Sequence, residues 1–353
     1  MEIIDQIVHY ARENKCSDIH LTAKLKPVFR KNGHIMQTNI DLTPEQIKDA
    51  ILYMMNEEQK DMILNKMEDV DFCYVNPEGQ RQRVNVFRQQ NELCAVLRIL
   101  NDVIPCFEDL NLPEAIRKMA EHNNGLVLIT GPTGSGKSTT LAAMIDYINV
   151  NKKHHIITFE DPIEYMHQHK SCIVHQREVG VDVKSFAAGL KSALREDPDV
   201  ILVGEMRDLE TISAAVTAAE TGHLVLSTLH TTGAVNTIDR IIDVFPDEGQ
   251  DQIRTQLSGV LRGVVTQQLV PTADGKSRVG TFEILVSTDA TSNLIRENKC
   301  HQIGSILQTN AKLGMRTLNG DLARLVREGI IHEEDALHKS PDKEGLAKLI
   351  RSM

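Results

Sequence analysis

Leu126-Val127-Leu128-Ile129-Thr130-Gly131-Pro132-Thr133-Gly134-Ser135-Gly136-Lys137-Ser138-Thr139 joins a short apolar run to a glycine-rich turn and then to a helix-forming stretch. Residues 131–138 fit Gly-x-x-x-x-Gly-Lys-[Ser/Thr], and the strand before and helix after are the context that this spacing requires. Glycines there let successive backbone N–H groups turn inward around phosphate oxygens, and the helix N-terminus adds its positive dipole end. Lys137 is placed to reach the outer phosphates and Ser138 to hold Mg²⁺, so ATP and Mg²⁺ are the expected cofactors. A chance match in a glycine-rich turn would lack the flanking strand and helix.

Downstream, apolar runs alternate with amphipathic stretches. His155-Ile156-Ile157-Thr158-Phe159, Val200-Ile201-Leu202-Val203 and Leu224-Val225-Leu226-Ser227-Thr228 read as three more buried strands. Helical stretches at 137–149, 185–195 and 210–220 lie between them. This pattern predicts a three-layer α/β domain on a parallel sheet. From about Phe282 to Ile350 the chain reads as mostly helical.

Upstream, residues 1–100 read as a small α+β domain. Ile3, Ile4, Ile7, Val8 and Ala11 recur at helical spacing, and Asn14 is a stop signal. Val28 to His34 reads as a strand entering a tight turn at Asn32-Gly33. Thr43-Pro44-Glu45-Gln46 is a capped helix start. Strands are expected at Val70–Val75, Arg83–Arg88 and Leu93–Leu100, with Asn76-Pro77-Glu78-Gly79 turning between the first two. Residues 101–113, with two prolines, read as a linker, and 114–353 as the second domain.

The composition narrows the partners. A chain of 353 residues suits two domains. Its net charge of −10, with 4% aromatics and no Trp, argues against a nucleic-acid surface, so no stable nucleic-acid binding is expected. Cys16, Cys73, Cys94, Cys106, Cys172 and Cys300 form no Cys-x-x-Cys pair, which fits reduced thiols. The amphipathic start is unlike a signal peptide, and no apolar run is long enough to span a bilayer; a cytoplasmic protein is expected.

Two carboxylates end the next two strands: Glu160, followed by Asp161-Pro162-Ile163-Glu164, and Glu205, followed by Met206-Arg207-Asp208. In open α/β sheets ligands lie beyond the strand carboxyl ends, so both should face the nucleotide, one near Mg²⁺ and one near the attacking water. Position does not say which does which. His230 ends the fourth strand and should face the same edge; His223 is a weaker candidate. Arg195 and Arg207 are candidates for charge against the γ-phosphate. Arg81, Arg83 and Arg98 lie on expected strands, where position alone suggests a solvated face. His154, His155, His167, His169 and His175 lack ligand-spaced partners and read as solvated loop residues rather than a metal site.

With Glu160–Glu164, Leu194-Arg195-Glu196-Asp197-Pro198-Asp199, Gly204–Asp208 and Glu220-Thr221-Gly222-His223 through Thr232, the chain resembles the secretion-type ATPases. Its strongest likeness is to the PilT family, the retraction motors of type IV pili. The likeness begins at Ser17-Asp18-Ile19-His20-Leu21 and covers nearly the whole chain. It implies a PAS-like α+β N-terminal domain followed by a RecA-like P-loop ATPase domain with a helical C-terminal part, assembled as a homohexamer. It implies that Glu160 activates water, that Glu205 supports Mg²⁺, and that His230 belongs to a histidine box. Arg83 and Arg98 match paired arginines that reach the nucleotide from the N-terminal domain.

The implied activity is ATP hydrolysis driving pilus retraction and twitching motility, with an inner-membrane platform protein as partner and peripheral association at the cytoplasmic membrane face. No longer N-terminal region or four-cysteine insert is present, which favours the retraction type over extension and secretion motors. One departure is Ala290-Thr291-Ser292-Asn293-Leu294-Ile295, where retraction motors often carry Ala-Ile-Arg-Asn-Leu-Ile. The other readings are a motor for secretion or DNA-uptake pili, a nucleic-acid translocase, and a nucleotide-gated scaffold without turnover.

Overall fold

The alternation of apolar and polar residues along Arg81–Gln89 sorts Gln82, Val84 and Val86 inward and Arg83 outward, which is what a sheet with one covered face demands. The computed structural model describes every residue except Met1, Asn32, Asn101 and Met353. Asn32 of the expected turn and Asn101 at the start of the expected linker therefore lie outside the described residues. The chain divides into two units, Met1–Val103 and Ile104–Met353.

The first unit runs α1 (Ile3–Glu13), β1 (Asp18–Leu21), β2 (Val28–Lys31), β3 (His34–Gln37), α2 (Pro44–Tyr53), α3 (Glu57–Asp61), β4 (Val70–Val75), β5 (Arg81–Gln89) and β6 (Glu92–Ile99). Its strands pair antiparallel in the order β3-β2-β1-β6-β5-β4. Ile4, Ile7 and Val8 of α1 and Ile47 and Ile51 of α2 pack on Ile19, Leu21, Val84, Val86 and Leu97. Each such side chain contributes roughly 1.5–3 kcal/mol of burial. The Thr43 hydroxyl accepts from Gln46 N while Gln46 Oε1 accepts from Thr43 N, so α2 starts on the capping box read in the sequence.

The second unit runs α4 (Glu114–Ala120), β7 (Gly125–Thr130), α5 (Lys137–Asn151), β8 (His155–Glu160), β9 (Ile173–Glu178), α6 (Phe186–Ala193), β10 (Val200–Val203), α7 (Leu209–Glu220), β11 (Leu224–Leu229), α8 (Ala234–Asp243), α9 (Asp247–Val260), β12 (Leu261–Pro271) and β13 (Arg278–Val286). Then follow α10 (Asp289–Arg296), α11 (Ile303–Thr309), α12 (Leu318–Arg327), α13 (Glu333–Lys339) and α14 (Lys343–Arg351). The sheet order is β13-β12-β7-β11-β10-β8-β9. Helices α4 and α5 cover one face and α6–α9 the other, each with its own apolar cluster.

The four strands expected here are present, but three more were not foreseen. Four of the six residues of β9 (Ile173-Val174-His175-Gln176-Arg177-Glu178) are polar and the strand sits at the sheet edge, so it carries no apolar run. β12 follows α9 without a break, and Gln267 and Gln268 interrupt its apolar residues. β13 pairs antiparallel with β12, so the sheet is mixed rather than wholly parallel. β13 also moves the start of the helical tail from about Phe282 to Asp289.

Candidate nucleotide site

All six residues of β7 are buried, and the chain leaves its carboxyl end through a loop in which two glycines are held by close contacts. Gly131 has φ +136°, and a Cβ there would lie 2.2 Å from the Gln267 carbonyl oxygen. Gly136 has φ +90°, and its Cβ would lie 2.8 Å from Gln267 Nε2. Gln267 of β12 thus forms the back of the loop, and its Oε1 accepts from the Thr140 hydroxyl on α5 at 2.7 Å. Thr130 and Thr266 join the same strands through their hydroxyls, 2.8 Å apart.

Inside the loop, the Lys137 ammonium donates to the Gly131 and Pro132 carbonyls at 2.8 and 3.1 Å. Burial lowers its pKa, against the opposing pull of Glu205 and Glu164. The Ser135 hydroxyl is buried and has no hydrogen-bond partner among the described residues. A buried cation whose hydrogen bonds among the described residues go to its own loop, and an orphaned hydroxyl beside it, fit a triphosphate, whose oxygens would take both. Ser138 is exposed on the first turn of α5, and Thr139 meets the Tyr165 hydroxyl at 3.1 Å. Pro132, Thr133 and Gly134 form the exposed crest of the loop.

The ends of β10 and β11 carry the second group. Met206 N donates to the Thr228 carbonyl and the Thr228 hydroxyl to the Gly204 carbonyl, which pins the two strand ends together. Glu205 Oε2 then meets Arg207 at 2.8 Å and His230 Nε2 at 3.4 Å. Glu205, Arg207 and His230 line a cavity of about 380 Å³ together with Thr228, Thr231 and Arg240. Glu205 is the carboxylate that acts electrostatically on Lys137. One carboxylate, the Ser138 hydroxyl and phosphate oxygens are donors of the type Mg²⁺ takes.

Glu160 ends β8. Its Oε1 accepts from the Thr158 hydroxyl at 2.7 Å and from Gln176 Nε2 at 3.1 Å. Glu164 was quoted in the sequence motif without a role, and it is the second carboxylate acting on Lys137. Gln176, Tyr165 and Gln267 were missed altogether. Gln176 and Gln267 sit on the strands that the apolar pattern does not reveal.

Arg195 is not brought to this edge. It follows α6 in the turn leading to β10, and the neighbouring Asp197 carbonyl meets the ring of His155, the first residue of β8. That turn therefore lies at the amino ends of the parallel strands, the edge opposite the loop. Arg83 and Arg98 belong to the first unit, where they are cross-strand partners and both exposed; Arg98 donates to Asp18 at 3.0 Å.

The five histidines are not a set of solvated loop residues. His155 opens β8 and His175 lies within β9, with His155 Nε2 and His175 Nδ1 2.9 Å apart. His167 is sequestered, and burial pushes its pKa down to about 4. Among the described residues no three His, Cys, Asp or Glu groups form a cluster that could hold a metal. His223 caps the end of α7 through the Ala218 carbonyl rather than joining His230 on Glu205.

Three comparisons bear on this geometry. Residues 1–341 match the family model described as type II/IV secretion system protein. The type IV pilus retraction ATPase PilT of Pseudomonas aeruginosa is 47% identical over 338 residues, covering 96% of this chain and 98% of that protein. A twitching motility protein of Neisseria gonorrhoeae is 48% identical over 322 residues, covering 91% and 86%. The crystal structure of the pilus retraction motor PilT with bound ADP superposes with a TM-score of 0.91 at 47% identity, covering 99% of both chains. A strand-loop-helix cradle whose lysine feels Glu205, with His230 on that carboxylate, on a chain matched from end to end, leaves one classification: the chain belongs to the type II/IV secretion system protein family, and within it to the ATPases of the PilT type.

Proposed function

We propose that this ATPase is the hexameric motor of type IV pilus retraction and thereby of twitching motility. The observation that carries the reading is the convergence on Lys137 of its own loop, Glu205 and Glu164, in a chain nearly half identical to pilus retraction ATPases. Residues 131–139 cradle ATP, with Mg²⁺ held by Ser138 and Glu205. Bound there, Mg²⁺ would neutralise phosphate charge. Glu160 takes the proton from the attacking water, while Arg207 and His230 keep Glu205 in place and respond to the γ-phosphate side of the site.

Arg83 and Arg98, on the PAS-like N-terminal domain of residues 1–100 that the linker 101–113 joins to the ATPase domain, would supply positive charge to the nucleotide of a neighbouring subunit in the ring. ATP binding and release would move the two domains of each subunit in turn around the ring. The motor works in the cytoplasm against an inner-membrane platform protein. No helix among the described residues is long and apolar enough to cross a membrane.

Two measurements test this. Lys137→Ala and Glu205→Ala should each lower ATP turnover by about 10²-fold or more; normal turnover in either removes the site assignment. Deletion of the gene should abolish twitching while surface pili accumulate. Loss of motility together with loss of pili would instead mean a motor for assembly.

A further inference from the structure

The side chain that fixes Glu160 comes from the strand the sequence pattern conceals. Gln176 lies on β9 opposite Thr158 of β8 in the parallel register. Its Nε2 donates to Glu160 Oε1 at 3.1 Å and to the Tyr165 carbonyl at 2.8 Å, while its Oε1 accepts from His167 N at 2.7 Å. Both amide protons and the oxygen are committed. Turned over, the amide would set its oxygen against two acceptors and its NH₂ against an N–H donor, so only one orientation is allowed.

On the same oxygen of Glu160, the fully buried Thr158 hydroxyl donates at 2.7 Å. Two donors on one carboxylate oxygen fix the plane of the group, and with it the direction in which the carboxylate faces. The same amide also ties down the backbone at both Tyr165 and His167, so the position of the carboxylate and the path of the chain that follows it are set by one residue.

We propose that Gln176 is a positioning residue for ATP hydrolysis: it holds Glu160 aimed while fixing the loop from Tyr165 to His167, with Thr158 as its co-donor. This rests on the reading of Glu160 as the water-activating carboxylate. Gln176 touches neither substrate nor water in this role, and its effect passes through Glu160.

A double-mutant cycle on the full-length ATPase tests it, reading kcat, the KM for ATP and the thermal midpoint. Misplacement of a catalytic group by about an ångström costs up to ~10²-fold, so Gln176→Leu should lower kcat by about 10- to 100-fold. The KM should stay within about twofold, because the phosphate cradle is untouched. In the Glu160→Gln background the same substitution should cost less than about twofold more. Thr158→Val, which keeps the side-chain shape and leaves β9 alone, should repeat the pattern with a smaller loss and guards against misfolding of the first variant. Wild-type kcat in both Gln176→Leu and Thr158→Val, or losses of equal size with and without Glu160, would overturn the inference. Normal turnover in Glu160→Gln would instead remove the reading of Glu160 on which it stands.

Discussion

Residues 125–151 and 155–178 contribute to the same sheet, and each carries a charged group just beyond the carboxyl end of its first strand or at it. In the first, backbone does the holding: Gly131 and Gly136 press against Gln267, and Lys137 is caught by the carbonyls of its own loop. In the second, side chains do it: Thr158, Gln176 and Glu178 reach from strands to fix Glu160 and the segment after it. A backbone cradle demands particular residue types at fixed spacing, because few residues adopt its dihedral angles or tolerate its close approaches. A side-chain scaffold demands only that a donor arrive from somewhere, and here it arrives 16 residues away. The first kind of site is therefore readable as a motif, and the second is not.

The sharpest way to break the contrast is Gly131→Ala. The new methyl meets a backbone carbonyl and a disfavoured φ together, so a loss of at least about 2 kcal/mol in stability and of nucleotide binding is expected. Chemical denaturation and a nucleotide titration check both. Gly134→Ala sharpens the point, since its Cβ meets nothing within 4 Å and only φ +77° opposes it. An equal cost at both positions would mean that the approach of Gln267 is immaterial.

Acid should separate the two regions next. Burial holds His167 near pKa 4, below its unfolded value of 6.5; Lys170 lowers it slightly further, and Asp146 opposes. Between those pH values the unfolded chain binds more protons, so stability rises with pH across the window and is lost as pH falls from 6.5 toward 4. The loss is on the order of 3 kcal/mol. His167→Phe should flatten this part of the pH–stability curve, measured by denaturant unfolding at each pH. The smallest effect is expected from Gln267→Leu, which removes the acceptor of the Thr140 hydroxyl and should cost about 1 kcal/mol. It should also weaken ATP binding, because the same side chain backs Gly136.

The site was only partly open to sequence reasoning, and the gaps have a common cause. Glu205 and His230 ended strands whose apolar runs were plain, so their convergence followed from topology, and they meet. Arg195 shared a motif with the strand it precedes, yet a residue before a parallel strand and one after it lie at opposite sheet edges. Gln176 and Gln267 carry no periodicity that marks them. Among the histidines, identity said nothing about burial: His167 is covered while His169 is exposed and accepts from Val174 N.

From residue order alone came the phosphate cradle and the four central strands, because backbone conformation and the apolar effect act over short stretches that one sequence window contains. The capped helix at Thr43 followed for the same reason. Tertiary structure alone decided that β9, β12 and β13 extend that sheet to seven strands. It alone decided that Gln267 backs the loop and that Gln176 holds Glu160. Hydrogen bonds between distant side chains depend on where the sheet brings them together, and no local pattern of residues records that.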